Sequence, residues 1–193
     1  MGLLDRIIAA DQAAFLAVNG AGTPFLDPVM IAVSDLRLWI PLYVLFLALV
    51  RQRWGWRGLW LAVPVIALMV LGSDTGSVVL FKDTVLRLRP CHEPVLADLV
   101  RLVPDGCGGK YGFVSSHAAN HFAIAAFMTG MLQRRPRWAG AALLVWAALI
   151  ACSRVYLGVH YPGDVIVGGL YGLAVGSLAF LLFRTLHQRL ART

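Results

Sequence analysis

Apolar residues fall in long blocks separated by short polar stretches. The four strongest blocks, 58–81, 111–133, 138–153 and 165–183, each approach the roughly 20 residues a helix needs to cross the hydrocarbon of a bilayer. A fifth block, 28–50, is interrupted by Asp35 and Arg37 and holds Pro41. Its outer third is therefore expected to be an interfacial helix that feeds the span. The N-terminal stretch has a different pattern: Leu3, Leu4, Ile7, Ile8, Phe15 and Leu16 recur at helical spacing around Asp5, Arg6 and Asp11. Residues 1–22 thus read as an amphipathic helix lying in the interface, retained rather than cleaved as a signal peptide. These elements predict an all-α, polytopic transmembrane bundle of five or six spans, folded as one domain over 1–193.

Composition agrees with a lipid solvent. The chain is 59% hydrophobic and 14% charged, with mean hydropathy +0.74, too little polar surface to cover a soluble domain of this size. The net charge of +7 would suit a nucleic-acid binder if the cations shared a soluble face. Instead Arg51, Arg53 and Arg57 form one cluster, Arg134, Arg135 and Arg137 a second, and Arg184, Arg189 and Arg192 a third, each at the end of an apolar block. The charge is therefore read as topological, with all three clusters in the cytoplasm and no nucleic-acid partner.

That orientation puts 82–110 and 154–164 together on the outer side, as an extracytoplasmic loop and turn. The block 138–153 would rise only about 24 Å, less than the bilayer core. Its helix is expected to continue past Ser153 and carry Arg154 into the outer edge of the bundle, where a guanidinium needs a counter-charge. Asp164 is the nearest acid in sequence, so a bound anion is an attractive partner.

Three segments at this boundary combine into one constellation: Lys82 to Pro90, Val114-Ser115-Ser116-His117, and Ser153-Arg154 followed by His160 and Asp164. Lys82, Arg89 and Arg154 offer cations for phosphate oxygens, the arginines as planar forks. Ser115 and the amide of Ser116 stand at a helix start, where free N–H groups favour an anion. His160, held in one tautomer by Asp164, can attack phosphorus. His117, charged beforehand, can protonate the leaving oxygen and then serve as base toward water. Three fixed cations make a metal or other cofactor unnecessary in this reading.

The pattern Lys-x6-Arg-Pro, Ser-x-His, Ser-Arg-x5-His-x3-Asp over 82–164 resembles the type 2 phosphatidic acid phosphatase superfamily. The resemblance implies a helical membrane bundle that hydrolyses lipid phosphates through a phosphohistidine. It gives Lys82, Arg89, Arg154, Ser115 and Ser116 to phosphate, and makes His117 the acid, His160 the nucleophile and Asp164 its orienting partner. One departure stands out: Val114-Ser115-Ser116-His117 replaces the usual Pro-Ser-Gly-His. The compact size resembles short bacterial undecaprenyl-diphosphate phosphatases, in the inner membrane with the site outside, so undecaprenyl diphosphate is the first substrate expected. Phosphatidylglycerol phosphate, phosphatidic acid and lipid A follow. Phosphotransfer to a lipid or sugar acceptor is a second enzymatic reading, and a lipid-phosphate transporter or scaffold a third. Beyond membrane lipids, no obligate protein partner is called for.

Several residues stay outside this assignment. Arg87 matches no motif position and reads as a surface or headgroup contact. His117 and His121 are spaced i, i+4 but lack a third metal ligand, so His121 and Asn120 read as supporting or packing residues. Asp74 lies inside a span, where a structural pairing is at least as good a reading as a functional one. His92 reads as a solvated loop residue. Cys91 and Cys107 both fall in the outer loop, where an oxidising compartment would let them pair, with two free thiols as the alternative.

Overall fold

The computed structural model describes residues 2–103, 106–132 and 136–191, apart from the side chain of Arg137. Arg134, Arg135 and Arg192, assigned to two of the cytoplasmic clusters, lie outside the described residues. The described chain is helical: α1 (Leu3–Gly20), α2 (Asp27–Ser34), α3 (Ile40–Gly76), the short α4 (Asp83–Val85), α5 (Ser116–Met131), α6 (Arg137–Tyr156) and α7 (Pro162–Leu190). Three segments are long and apolar enough to cross a membrane: Leu36–Val85, Trp138–Tyr156 and Pro162–Leu190.

The first of these is 50 residues, about 75 Å at helical rise, and it doubles back. Gly55 breaks α3 with φ +69°, a left-handed conformation that glycine adopts without a Cβ penalty. The partners of the two halves show the reversal. Before the break, Tyr43 meets His121 near the start of α5, and Trp54 donates to the Met131 carbonyl at its end. After the break the order inverts, with Ser73 on Asn120 and Ser77 on Ser116. The first half therefore runs parallel to α5 and the second antiparallel.

The interruption read at Asp35 is a helix end. Asp35 leaves α2 with ψ 124° and its carboxylate accepts from the Arg37 amide at 2.9 Å, capping a 3-10 turn over Leu36–Trp39. Helix α6 continues past Ser153 to Tyr156, as the short apolar block required.

Helices α5 and α7 pack closest because α7 carries Gly168, Gly172 and Gly176 on one face. A Cβ at Gly172 or Gly176 would strike the carbonyls of Ala119 and Ala123, and one at Gly168 that of Ser115. Small residues four apart let backbones approach in a lipid solvent, where dispersion has to replace the hydrophobic effect. Phe127, Met128, Ile150 and Phe183 complete the buried centre. Helix α1 lies against the end of the bundle formed by α6 and α7. It buries Phe15 edge-on to Tyr161, while Leu3, Leu4 and Ile7 remain more than half exposed. Its Asn19 side chain donates to the carbonyls of Arg101 and Tyr156 and accepts from the Arg101 amide, each at 2.8 Å, which ties down the loop between α4 and α5.

Candidate active site

All three motif segments arrive at the end of the bundle opposite Gly55. After Gly76, α3 widens into a π-helix over Ser77–Lys82, the kind of irregularity that often re-aims a functional side chain. Here Lys82 Nζ donates to Ser116 Oγ at 2.7 Å, and Ser116 Oγ lies 2.6 Å from Ser77 Oγ. Arg89 follows in a loop pinned to its neighbour by Arg89 N–H to Lys110 O and Gly112 N–H to Arg87 O.

His160 is 2% exposed and Asp164 0%. Their separation of four residues, with Pro162 opening α7, places Asp164 Oδ2 at 3.3 Å from His160 Nδ1 and at 3.0 Å from the Tyr161 amide. A carboxylate only accepts, so Nδ1 carries the hydrogen and the lone pair is on Nε2. Arg89 Nη1 stands 3.1 Å from that Nε2 and donates at 3.1 Å to the Val159 carbonyl. A phosphate drawing Arg89 toward itself would release the lone pair for attack. Burial pushes His160 down to about 4, against the opposing pull of Asp164, so the ring is neutral at physiological pH.

Arg154 reaches Ser34 at the end of α2 and has no carboxylate partner among the described residues. The Nε atoms of Arg89 and Arg154 are both buried without a hydrogen-bond partner among the described residues. Buried guanidinium groups in that state are costly unless an anion completes them. Lys82, Arg89, Arg154, Ser116, His117 and His160 all line one cavity of about 600 Å³, whose remaining wall is largely apolar and includes Phe46, Met69, Val70 and Phe127.

Two roles assigned from sequence change. Ser115 is fully buried and is the N-cap of α5, its Oγ accepting from the Ala118 amide at 3.5 Å. Its hydroxyl oxygen caps the helix, and Ser116 is the serine that lines the cavity. Arg87 is no surface contact. Its Nη1 lies 3.0 Å from Asp164 Oδ1 and its Nη2 2.7 Å from Asp11 Oδ2. No sequence motif marks that pairing, because Asp11 is 76 residues away. The serine in place of glycine at 116 meets no conformational obstacle: Ser116 begins α5, and Leu86 is the non-glycine residue found at positive φ.

His121 commits both ring nitrogens, Nδ1 to the His117 carbonyl at 2.8 Å and Nε2 to Tyr43 Oη at 3.1 Å, which leaves it no lone pair for a metal shared with His117. The His117 ring has no carboxylate partner among the described hydrogen bonds. The expected preformed positive charge is thus unsupported by the protein, and an arriving phosphate would supply the compensating charge. Asp74 lines the cavity and accepts from Asn120 Nδ2 at 3.4 Å. Cys91 and Cys107 pair as a disulfide with Cα atoms 6.1 Å apart. His92 beside them, its ring 3.4 Å from the Gly108 carbonyl, is exposed and lies outside the cavity lining.

A helical bundle with apolar spans, a histidine–aspartate pair and a cationic pocket at the helix ends defines a membrane-embedded phosphatase. The PAP2 superfamily profile matches residues 58–188, and the chain belongs to that family. It is 35% identical over 189 residues, 97% of this chain and 83% of the relative, to the lipid A 4'-phosphatase of Bacteroides thetaiotaomicron. It is 30% identical to an undecaprenyl-diphosphatase of Sulfolobus acidocaldarius, over 74% of this chain and 62% of that one. Among solved structures it resembles Aquifex aeolicus LpxE, with TM-score 0.58, 27% identity, and coverage of 86% of this chain and 91% of that one. The chain is a membrane lipid phosphatase of the PAP2 family.

Proposed function

We propose that the chain removes phosphate from lipid A through a covalent phosphohistidine, working at the extracytoplasmic face of a bacterial inner membrane. The observation that carries this reading is a single cavity that joins the cationic groups and His160 to an apolar wall. A phosphate can occupy the polar end while the lipid it belongs to stays in hydrocarbon. Similarity to a lipid A 4'-phosphatase along nearly the whole chain ranks that substrate ahead of undecaprenyl diphosphate, the one expected from chain size. Five crossings fit the fold, two from the halves of α3 and one each from α5, α6 and α7. The arginines around Gly55 then face the cytoplasm.

His160 Nε2 attacks phosphorus as the P–O bond to the lipid breaks, and His117 gives its proton to the departing oxygen. Water then attacks phosphorus as the P–N bond breaks and returns its electron pair to Nε2, His117 takes the water proton, and inorganic phosphate leaves with His160 neutral again. Asp164 holds the Nδ1 hydrogen throughout. Lys82, Arg89 and Arg154, with the Ser116 hydroxyl, neutralise the charge that builds on the non-bridging oxygens.

The test is phosphate release by purified protein in detergent with EDTA, using lipid A, undecaprenyl diphosphate, phosphatidylglycerol phosphate and phosphatidic acid, beside His160→Ala. Release that is fastest from lipid A, survives EDTA and disappears in the variant is expected. Release unchanged in the variant, or none from any lipid, would overturn the reading in favour of a transporter or scaffold. Labelled phosphate appearing on an added acceptor would mark a phosphotransferase.

A further inference from the structure

We propose that Arg87 is a positioning residue for the Asp164–His160 pair and that Asp11, on the N-terminal helix, holds Arg87 in place. The proposal rests on the phosphohistidine reading above. Its geometry is a closed ring of contacts. From His160 Nδ1 the chain passes to Asp164 Oδ2 at 3.3 Å, and from Asp164 Oδ1 to Arg87 Nη1 at 3.0 Å. It continues from Arg87 Nη2 to Asp11 Oδ2 at 2.7 Å, and Asp11 Oδ1 accepts from the Gly163 amide at 2.7 Å. Gly163 belongs to the turn that carries both His160 and Asp164, so the ring returns to the element it positions. The Arg87 guanidinium also lies 4.0 Å from the centre of the Tyr161 ring, between those two residues.

Two features separate this role from phosphate binding. Lys82, Arg89 and Arg154 line the cavity, whereas Arg87 is absent from its wall. Both terminal nitrogens of Arg87 are already paired with carboxylates, while Arg89 and Arg154 each keep a buried Nε unpartnered. Asp164 is fully buried, and an unpaired Oδ1 there would be costly. With Oδ1 fixed by Arg87, the carboxylate cannot rotate Oδ2 away from His160 Nδ1. A planar fork spanning two carboxylates suits arginine and not lysine. Asp11 thereby gives α1, with its exposed apolar Leu3, Leu4 and Ile7, a direct mechanical link to the nucleophile.

The charged and titratable groups around His160 are Asp164 on α7, Arg89 on the loop after α4, Arg154 on α6 and His117 on α5. Arg87, Asp11 and Lys82 form the next layer, through Asp164 and Ser116. Removing the Arg87 charge strengthens the field of Asp164 at His160, which favours the protonated ring and moves the acid limb of kcat to higher pH.

The experiment measures kcat, KM and the pH profile on one lipid for wild type, Arg87→Gln, Arg87→Lys and Asp11→Asn, so that ionisation of the substrate is common to all. In Arg87→Gln, kcat should fall about 10- to 100-fold with KM within about threefold, and the acid limb should rise. Arg87→Lys should keep the wild-type limb and recover part of kcat. Asp11→Asn should lower kcat about 3- to 10-fold without raising the limb. A large KM increase at constant kcat would make Arg87 a headgroup contact. A kcat loss with an unmoved limb would make it a packing residue, and activity within twofold of wild type would give it no role. Each of these overturns the proposal. If Arg87→Gln does not fold, Asp11→Asn decides alone, with unchanged kcat as the overturning result. His160→Ala run alongside keeps the two readings apart: phosphate release surviving there sinks the phosphohistidine mechanism itself, whatever Arg87 does.

Discussion

Both ends of the bundle carry arginine, and they use it in opposite ways. Around Gly55, Arg51 lies 4.3 Å from the ring of Trp56 and Arg53 5.7 Å from that of Trp54. All three arginines of this cluster are exposed. Their charges are solvated or headgroup-facing and their stems cover aromatic surface, the arrangement of interfacial anchors. At the other end Arg89 and Arg154 turn inward, with buried Nε atoms that no described group satisfies. A guanidinium left incompletely satisfied in low dielectric is a standing cost, and an anion would relieve it. The difference between an anchor and a ligand is therefore visible in the partners a guanidinium lacks.

The sharpest way to break this contrast is at His160, the proposed nucleophile. His160→Ala should lower phosphate release by about 10⁴-fold or more, because the Nδ1 hydrogen of His160 is held by a carboxylate, whereas His121, whose Nδ1 is also fixed, has its Nε2 taken by Tyr43 Oη. Next comes Arg154→Ala, expected to cost about 10²- to 10³-fold in kcat/KM, in the range of a preorganised charge-stabilising donor. Arg154→Lys should restore only part of this, because a point charge replaces a fork. Steady-state rates on the lipid that wild type prefers would check both. A loss under tenfold in Arg154→Ala would mean that its unpartnered Nε is not reserved for phosphate.

Much of this end was legible in the sequence because its motifs obey helical arithmetic. His160 and Asp164 are four apart across the start of a helix, which fixes their contact whatever the rest of the chain does. The shortness of block 138–153 forced α6 onward and delivered Arg154 to the cavity. The division between Ser115 and Ser116 was not legible for a physical reason: a serine at a helix start can cap the helix or face a ligand, and only packing decides which of two adjacent serines does each. Arg87 was missed because its partners are set by tertiary structure. Asp11 and Asp164 lie far from it in sequence, and a cation beside a membrane has a surface role by default. The break at Gly55 falls between blocks 28–50 and 58–81, within the arginine cluster Arg51, Arg53 and Arg57 that separated them in the sequence.

A smaller effect concerns proton occupancy. With His160 pushed down to about 4 by burial, the proposed nucleophile should stay neutral as pH falls from 7 to 5.5, its protonation removing activity only below that range. Rapid acid-free trapping of the phosphoenzyme at pH 5.5 should recover at least about half of the amount formed at pH 7. A yield of less than about a tenth would place the nucleophile at or above the ordinary histidine value of about 6.5. The ring would then be in a wetter, more anionic setting than the buried turn between α6 and α7, and the contrast with the solvated end would lose its physical basis.

The smallest expected effect tests the other side of the comparison. Arg51→Ala removes a cation–π contact at an exposed site, worth about 0.5–1 kcal/mol. It also leaves Arg53 and Arg57 to keep the positive charge at the Gly55 turn. Activity should remain within about twofold of wild type and Tm should fall by a few degrees at most. Trp54, by contrast, packs on Phe183 and donates to the Met131 carbonyl, so Trp54→Ala belongs to the core and should destabilise more than Arg51→Ala while changing KM little. The two variants separate anchoring from packing at one end of the same helix. A tenfold loss of kcat in Arg51→Ala, with Tm unchanged, would show that the Gly55 end is coupled to the cavity across the full length of α3. Its arginines could then no longer be read as anchors alone.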